Sequence, residues 1–293
     1  MNAVRALLTG VVDYAGLFPP AALDMSTAVR NYVAYRSEPS SWMLGRFVVP
    51  VARLDELAAV VEHIDLGGTP IALSALCGTR AAEDIENALA FQNAHHGDVT
   101  VDVAEARVTR VEEIEAFAVS AAGRLELFAE LASEPDPREL IAAVARGGIS
   151  AKIRTGGITP DAFPSAVNVV RFIRRCLDAE VRFKATAGLH HPIRAEYALT
   201  YEASPPRGMM FGYLNVFLAA AFMRQGMSDD DARRVLEEQD RSAFVLADNG
   251  ISWRNRPLDT AALQALRNEA VVSFGSCSFR EPVDELHALG AIA

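Results

Sequence analysis

Apolar and polar positions along the chain follow two alternating rhythms. Short apolar runs rich in valine, isoleucine, leucine and alanine fall at residues 8–14, 46–50, 71–77, 99–103, 125–131, 150–154, 182–187 and 270–274. Runs this short, bounded by turn residues, are the mark of buried strands. Between the early runs the period lengthens to that of an amphipathic helix, at 54–64, 81–94, 111–121, 137–145 and 165–177. Regular strand–helix alternation with buried parallel strands predicts an α/β fold. Eight such units in a chain of 293 residues predict a (β/α)8 barrel. A doubly wound open sheet is the alternative, and no Gly-x-Gly-x-x-Gly follows the first strand to make it a dinucleotide-binding one.

The rhythm breaks after the seventh strand. The stretch 189–269 is far longer than the roughly 30 residues that one strand–helix unit of such a barrel uses. It holds an apolar helix over 211–224, an acidic-start helix over 228–239, a further helix over 261–268 and a possible extra strand at 244–247. Ser228 reads as an N-cap, with Asp229, Asp230 and Asp231 on the positive end of the helix dipole. No low-complexity linker separates this stretch. The chain therefore reads as one barrel domain over 1–293, with an insertion at 193–268 expected to be largely helical and to cover or flank the C-terminal mouth. The apolar segment 213–222 reads either as core or as a contact in a homo-oligomer.

Composition removes several function classes. The chain is 51% apolar, carries a formal net charge of −10 and has a pI near 5.1. An acidic chain with no basic run argues against nucleic acid or an anionic membrane surface as a partner. The longest apolar run, 211–223, is broken by Gly212 and Asn215 and is too short to span a bilayer. Cys77, Cys176 and Cys277 are far apart and odd in number, with no Cys-x-x-Cys pair, which suits a reducing compartment. The first twelve residues do not read as a signal peptide, and a cytoplasmic location is the expectation.

Candidate chemistry begins with two lysines. Lys152 and Lys184 each lie inside a strand-like run that ends in a glycine turn, Ala151-Lys152-Ile153-Arg154-Thr155-Gly156-Gly157 and Phe183-Lys184-Ala185-Thr186-Ala187-Gly188. Burying an unpartnered ammonium is costly, and crowding or desolvation pushes its pKa down. A lysine neutral near pH 7 is a nucleophile for carbonyl carbon. The structural alternative places both at strand ends with their amines in water. Active groups of a barrel gather where strands end. Here those ends carry Asp13-Tyr14-Ala15-Gly16, Val101-Asp102-Val103-Ala104-Glu105, Phe128-Ala129-Glu130, Lys152 with Arg154, Lys184 with Thr186 and then Gly188-Leu189-His190-His191, and Ser273-Phe274-Gly275-Ser276-Cys277-Ser278.

At these positions the chain resembles deoxyribose-phosphate aldolase and its class I, Schiff-base relatives of the TIM-barrel fold. Asp13-Tyr14-Ala15 stands where that family has an Asp-His-Thr-like segment, and Val101-Asp102-Val103 matches its acidic fourth strand. Lys152-Ile153-Arg154-Thr155-Gly156 matches its Lys-Thr-Ser-Thr-Gly, and Lys184-Ala185-Thr186-Ala187-Gly188 its Lys-Ala-Ser-Gly-Gly. Gly275-Ser276-Cys277-Ser278 matches its phosphate turn. The chain departs from the family at Arg154, at Ala187, at His190-His191 and in the long insertion. The resemblance implies a lyase in which Lys152 forms an imine, Lys184 tunes it and Asp102 moves a proton, with no cofactor. Asp13, Glu130, Arg154, Thr186, Gly188, His190, Gly275 and Ser276 would then meet a small, anionic carbonyl substrate.

Several residues keep a second reading. His190 and His191, with Asp13 and Glu130, could form the metal site of a lyase or hydrolase, although no His-x-His or His-Glu-x-x-His spacing is present. His95 and His96 lie at a helix end, on the opposite face of a barrel. Arg154 either pairs with Glu130 or Asp102 or holds a substrate carboxylate. Gly156-Gly157 is either a tight turn or an anion-binding turn. Cys277 is either a packed thiol or a nucleophile, and Asp13 could simply cap a turn. The non-enzymatic alternative is a barrel that only binds.

Overall fold

The computed structural model describes residues 2–292. Eight parallel strands close into a barrel: β1 (Val12–Tyr14), β2 (Leu44–Pro50), β3 (Ile71–Leu76), β4 (Val99–Arg107), β5 (Glu126–Leu131), β6 (Ser150–Arg154), β7 (Phe183–Thr186) and, after five short strands described below, β13 (Val271–Ser276). The first and last are neighbours, with Asp13 opposite Gly275. The expected (β/α)8 barrel is the fold. The connecting helices are α2 (Met25–Tyr35), α3 (Leu54–Val61), α4 (Ala81–Ala94), α5 (Val111–Ser120), α6 (Arg138–Arg146) and α7 (Ala166–Asp178), preceded by α1 (Ala3–Leu8). Among the described residues no helix is long and apolar enough to cross a membrane.

The chain start differs from its hydrophobic pattern. The run 8–14 predicts a strand, but only Val12–Tyr14 is one, and α1 ends at Leu8. Asn2 caps α1 by accepting from the Arg5 N–H, and Val4, Leu7 and Leu8 share the buried side of this helix, which packs on a late helix, α10 (Thr260–Glu269). The hydrophobic pattern did not mark α2. Its start is set by Asp24, whose carboxylate accepts from the Thr27 N–H at 2.8 Å.

Most of the core lies between strands and helices. Inside the barrel, Val103, Phe128 and Val272 form a separate buried cluster. They come from strands that are not all neighbours, so they meet only across the barrel interior, where they form its floor.

The stretch between β7 and β13 contains α8 (Tyr213–Arg224), α9 (Asp229–Glu237) and α10 (Thr260–Glu269). It also contains five strands: the antiparallel hairpin β8 (Ala195–Ala198) with β9 (Arg207–Met210), and the antiparallel sheet β10 (Phe244–Ala247), β11 (Gly250–Trp253) and β12 (Arg256–Asp259). The extra strand expected at 244–247 is β10, joined by two partners. The small sheet packs on α1 and α10. The apolar helix α8 belongs to the barrel layer, between α7 and α10, with the Tyr213 and Phe217 rings against Phe274 of β13. Residues Tyr213 to Met223 are all buried within the chain, so α8 has no outward apolar face for a subunit contact. Helix α11 (Arg280–Ala288) follows β13.

Candidate active site

Parallel strands in register bring the two lysines side by side: Lys152 of β6 is the partner of Lys184 of β7. Both amines reach one carboxylate. Lys152 Nζ donates to Glu105 Oε2 at 2.6 Å and Lys184 Nζ donates to Glu105 Oε1 at 2.6 Å. Glu105 is also held by the Ser74 hydroxyl at 2.6 Å. Lys184 donates further to Asp13 Oδ2 at 2.5 Å, and Asp13 accepts from Ser273 Oγ and the Arg46 N–H. Lys152 continues to Glu130, at 2.8 Å, and Glu130 lies 3.9 Å from Arg154. One chain of alternating charge thus runs Asp13–Lys184–Glu105–Lys152–Glu130, buried throughout.

The two lysines sit in a lower tier of the barrel, above the apolar floor. Lys184 Nζ lies 5.2 Å from the Phe128 ring. Burial alone would lower the Lys184 pKa, but the Asp13 and Glu105 carboxylates outweigh it and hold the ammonium well above its ordinary value. This corrects the expectation that crowding depresses it: the lysine has acquired two anionic partners. Burial likewise would raise the Glu105 carboxyl, but the two ammonium groups hold it far below the usual carboxylate range.

Asp102 is not brought to this cluster. It lies at an irregularity in β4, where the register against β3 shifts between Leu73 and Ser74. Its side chain is 46% exposed and sits 3.5 Å from Arg46. The shift moves it off the inward face and leaves Val103 and Glu105 pointing in. The carboxylate between the lysines is therefore Glu105, three positions on. An acidic residue two after Val103 on a strand was the available signal, because alternate residues share a face.

The strand ends open into a cavity of about 440 Å³. Its floor is Glu105, Lys152 and Lys184, and Glu130, Arg107 and Arg154 line one side. Ala198, Leu199, Tyr201 and Met210 of the β8–β9 hairpin, and Phe18, Pro19 and Pro20 after β1, close over it. Thr186, Gly188, His190 and Gly275 also line it, whereas Asp13, Ser276 and Asp102 do not. Two glycines are dictated by space. Gly275 faces the Thr186 side chain, and a Cβ there would lie 2.8 Å from Thr186 Oγ1. Gly188 has φ +70° and a Cβ on it would lie 2.9 Å from Gly156 Cα.

The corner between β7 and β13 holds a second cluster. His190 Nδ1 lies 3.1 Å from Glu281 Oε2, 3.2 Å from Ser276 Oγ and 3.9 Å from Cys277 Sγ. The Tyr201 hydroxyl donates to Glu281 Oε1 at 3.0 Å and lies 3.6 Å from Cys277 Sγ. Burial pulls the His190 pKa down, but hydrogen bonds to Cys277 and Glu281 prevail and raise it to about 10 from 6.5. Tyr201 and Glu281 carried no sequence signal, since one lies in the hairpin and the other in the last helix. His191 stacks on Tyr197 with ring centroids 3.4 Å apart and pairs with Glu285 at 2.6 Å. His190, His191, Asp13 and Glu130 are thus each tied to different partners. Among the described residues no group of three or more His, Cys, Asp or Glu side chains is arranged to hold a metal ion. His95 and His96 lie after α4 and before β4, at the far end from the cavity.

A comparison with protein-family models finds no match, and a comparison with curated proteins finds none either.

Proposed function

We propose that this barrel is a class I aldolase-like lyase that acts on a small, anionic carbonyl compound through a lysine Schiff base. The observation that carries the reading is the pair of register-matched lysines bridged by one buried carboxylate at the bottom of a cavity. TIM barrels place their chemistry at this end of the strands. The sequence resemblance to deoxyribose-phosphate aldolases runs through the same lysines.

Lys152 is the nucleophile in this proposal. Lys184 is clasped between Asp13 and Glu105 and held protonated, whereas Lys152 has Glu130, a carboxylate not shared with Lys184, at 2.8 Å. Glu130 takes the Lys152 proton, and the free amine adds to the carbonyl carbon. Proton delivery to the carbonyl oxygen releases it as water and leaves an iminium. That cation draws electrons from a neighbouring carbon–carbon bond, or returns them when the bond is made. Lys184, fixed as an ammonium close by, disfavours a second positive charge on Lys152 and keeps it reactive. Glu105 orients both amines, and Glu130, not the exposed Asp102, handles the proton. Closure by the hairpin limits water at the imine.

Borohydride trapping with small aldehydes, ketones and keto acids tests this. A mass increase confined to Lys152, absent in Lys152→Ala, is the expected result. Lys184→Met is expected to retain the adduct but to need higher pH, because the repelling charge is gone. An adduct on Lys184 would overturn the choice of nucleophile, and no adduct with any carbonyl would overturn the imine reading and favour a barrel that only binds.

A further inference from the structure

The charges around the cavity do not cancel evenly. Asp13 and Glu105 lie against Lys184 and Lys152, and Glu281 lies against His190. That leaves Glu130, already shared with Lys152, as the one carboxylate beside Arg107 and Arg154. Arg107 of β4 is the register partner of Glu130 and lines the cavity, and its side chain makes no ion pair or hydrogen bond among the described residues. Arg154 is 55% exposed, and its nearest carboxylate oxygen is 3.9 Å away, too far for a direct hydrogen bond. Two guanidinium groups therefore flank Glu130 with one positive charge in excess.

The opposite corner is closed to an anion. Barrels of this type often bind phosphate at the loops after the seventh and eighth strands and at a nearby helix N-terminus. Here the first turn of α11 supplies its own anion, Glu281, which takes His190 and the Tyr201 hydroxyl as partners. Ser276 Oγ donates to the Ser278 carbonyl, so its proton is also engaged. A phosphate placed there would face the Glu281 carboxylate.

We infer that the substrate is a monoanionic oxo acid, its carboxylate held by Arg107 and Arg154 on the β4–β6 side of the cavity and its carbonyl directed to Lys152, with no phosphate in the β7–β13 corner. A guanidinium matches a carboxylate bidentately. A single negative charge balances the excess, whereas a phosphate dianion would exceed it next to Glu130. The inference rests on the imine reading for its carbonyl half and on the arginines alone for its carboxylate half.

Three ketones of equal carbon number separate these halves: pyruvate, neutral hydroxyacetone and dihydroxyacetone phosphate. Half-saturating concentrations are read by borohydride trapping, and binding without reductant is read by calorimetry. Pyruvate is expected to saturate at least tenfold lower than either of the others. Arg107→Met with Arg154→Met is expected to raise the pyruvate value to that of hydroxyacetone measured on the same variant, abolishing the preference for the carboxylate. Arg154→Lys, which keeps the charge and loses the fork, is expected to fall between, and far-ultraviolet circular dichroism checks that each variant is folded. Equal saturation by all three, a preference for the phosphate, or a pyruvate preference that survives the double substitution overturns the inference. Calorimetric pyruvate binding that needs both arginines, with no adduct from any ketone, sustains the carboxylate site and overturns the imine reading instead.

Discussion

Glu105 is where the chemistry of single residues concentrates, because one buried carboxylate neutralises parts of two buried ammonium groups. Removing one member of a buried ionic set leaves uncompensated charge, which costs about 3–5 kcal/mol. Glu105→Gln is therefore expected to lower unfolding free energy at pH 7 by about that amount, read from urea titration; a loss below about 1 kcal/mol would show the lysines rehydrated or re-paired. The same carboxyl is depressed in the folded chain, so its contribution is present above the unfolded carboxylate value and is lost as pH falls below it. His190 works in the opposite sense. Its folded pKa is raised, so its stabilisation is complete below 6.5 and is lost as pH rises through about 10. Across that window one extra proton is bound in the folded state, and stability should decline by about 1.4 kcal/mol per pH unit from this group. His190→Gln is expected to remove that slope, as measured by denaturant titration at pH 6, 8 and 9.5; an unchanged slope would mean His190 is neutral when folded.

Elements were legible in the sequence to the extent that their apolar period was clean. Strands β3, β5, β6, β7 and β13 lie within two residues of their expected bounds, and α4 matches at both ends. The period failed where one run served two elements, as at residues 8–14, and α2 went unmarked although Met25, Ala28, Val29 and Tyr32 share its buried side. It also failed at Asp102, because a one-residue irregularity in β4 reverses which side chains point inward. The pattern after β7 shows mostly helix because its two small sheets consist of four-residue strands, too short to display alternation. Asn215 breaks the apolar run of α8 for a reason visible only in three dimensions. Its amide donates to the carbonyls of Val235 and Glu238, and its oxygen accepts from the Arg194 N–H. Asn215 thereby ties α8 to α9 and to the chain entering the hairpin. Asn215→Leu removes three side-chain hydrogen bonds to the backbone, leaves the Glu238 carbonyl and the Arg194 N–H without that partner, and is expected to cost about 2–4 kcal/mol, seen as a lower melting temperature. A variant as stable as the parent would show that the backbone there finds other partners.

At the scale of the whole molecule, the closed sheet and the cover over its mouth are separable. The barrel closes through β1 and β13, whereas β8 and β9 pair only with each other. Ala195 and Met210 face one another across that hairpin, so a short Gly-Ser link can replace residues 196–209 without stretching the chain. The shortened protein is expected to keep its far-ultraviolet circular dichroism and one cooperative unfolding transition, while an imine trapped after delayed borohydride addition decays faster. Loss of cooperative unfolding would show the hairpin to be part of the barrel's stability. By itself the sequence determined the α/β class, the eight strands and the positions of the two lysines, because burial on both faces and a repeated strand–helix length leave a direct trace in residue order. Tertiary structure alone decided which carboxylate joins the lysines, that Lys184 is held charged, and that His190, Tyr201, Cys277 and Glu281 share a corner. These depend on side-chain direction and on contacts between residues as much as 171 positions apart, such as Asp13 and Lys184, and on burial strengthening each charge pair. None of those quantities has a period along the chain.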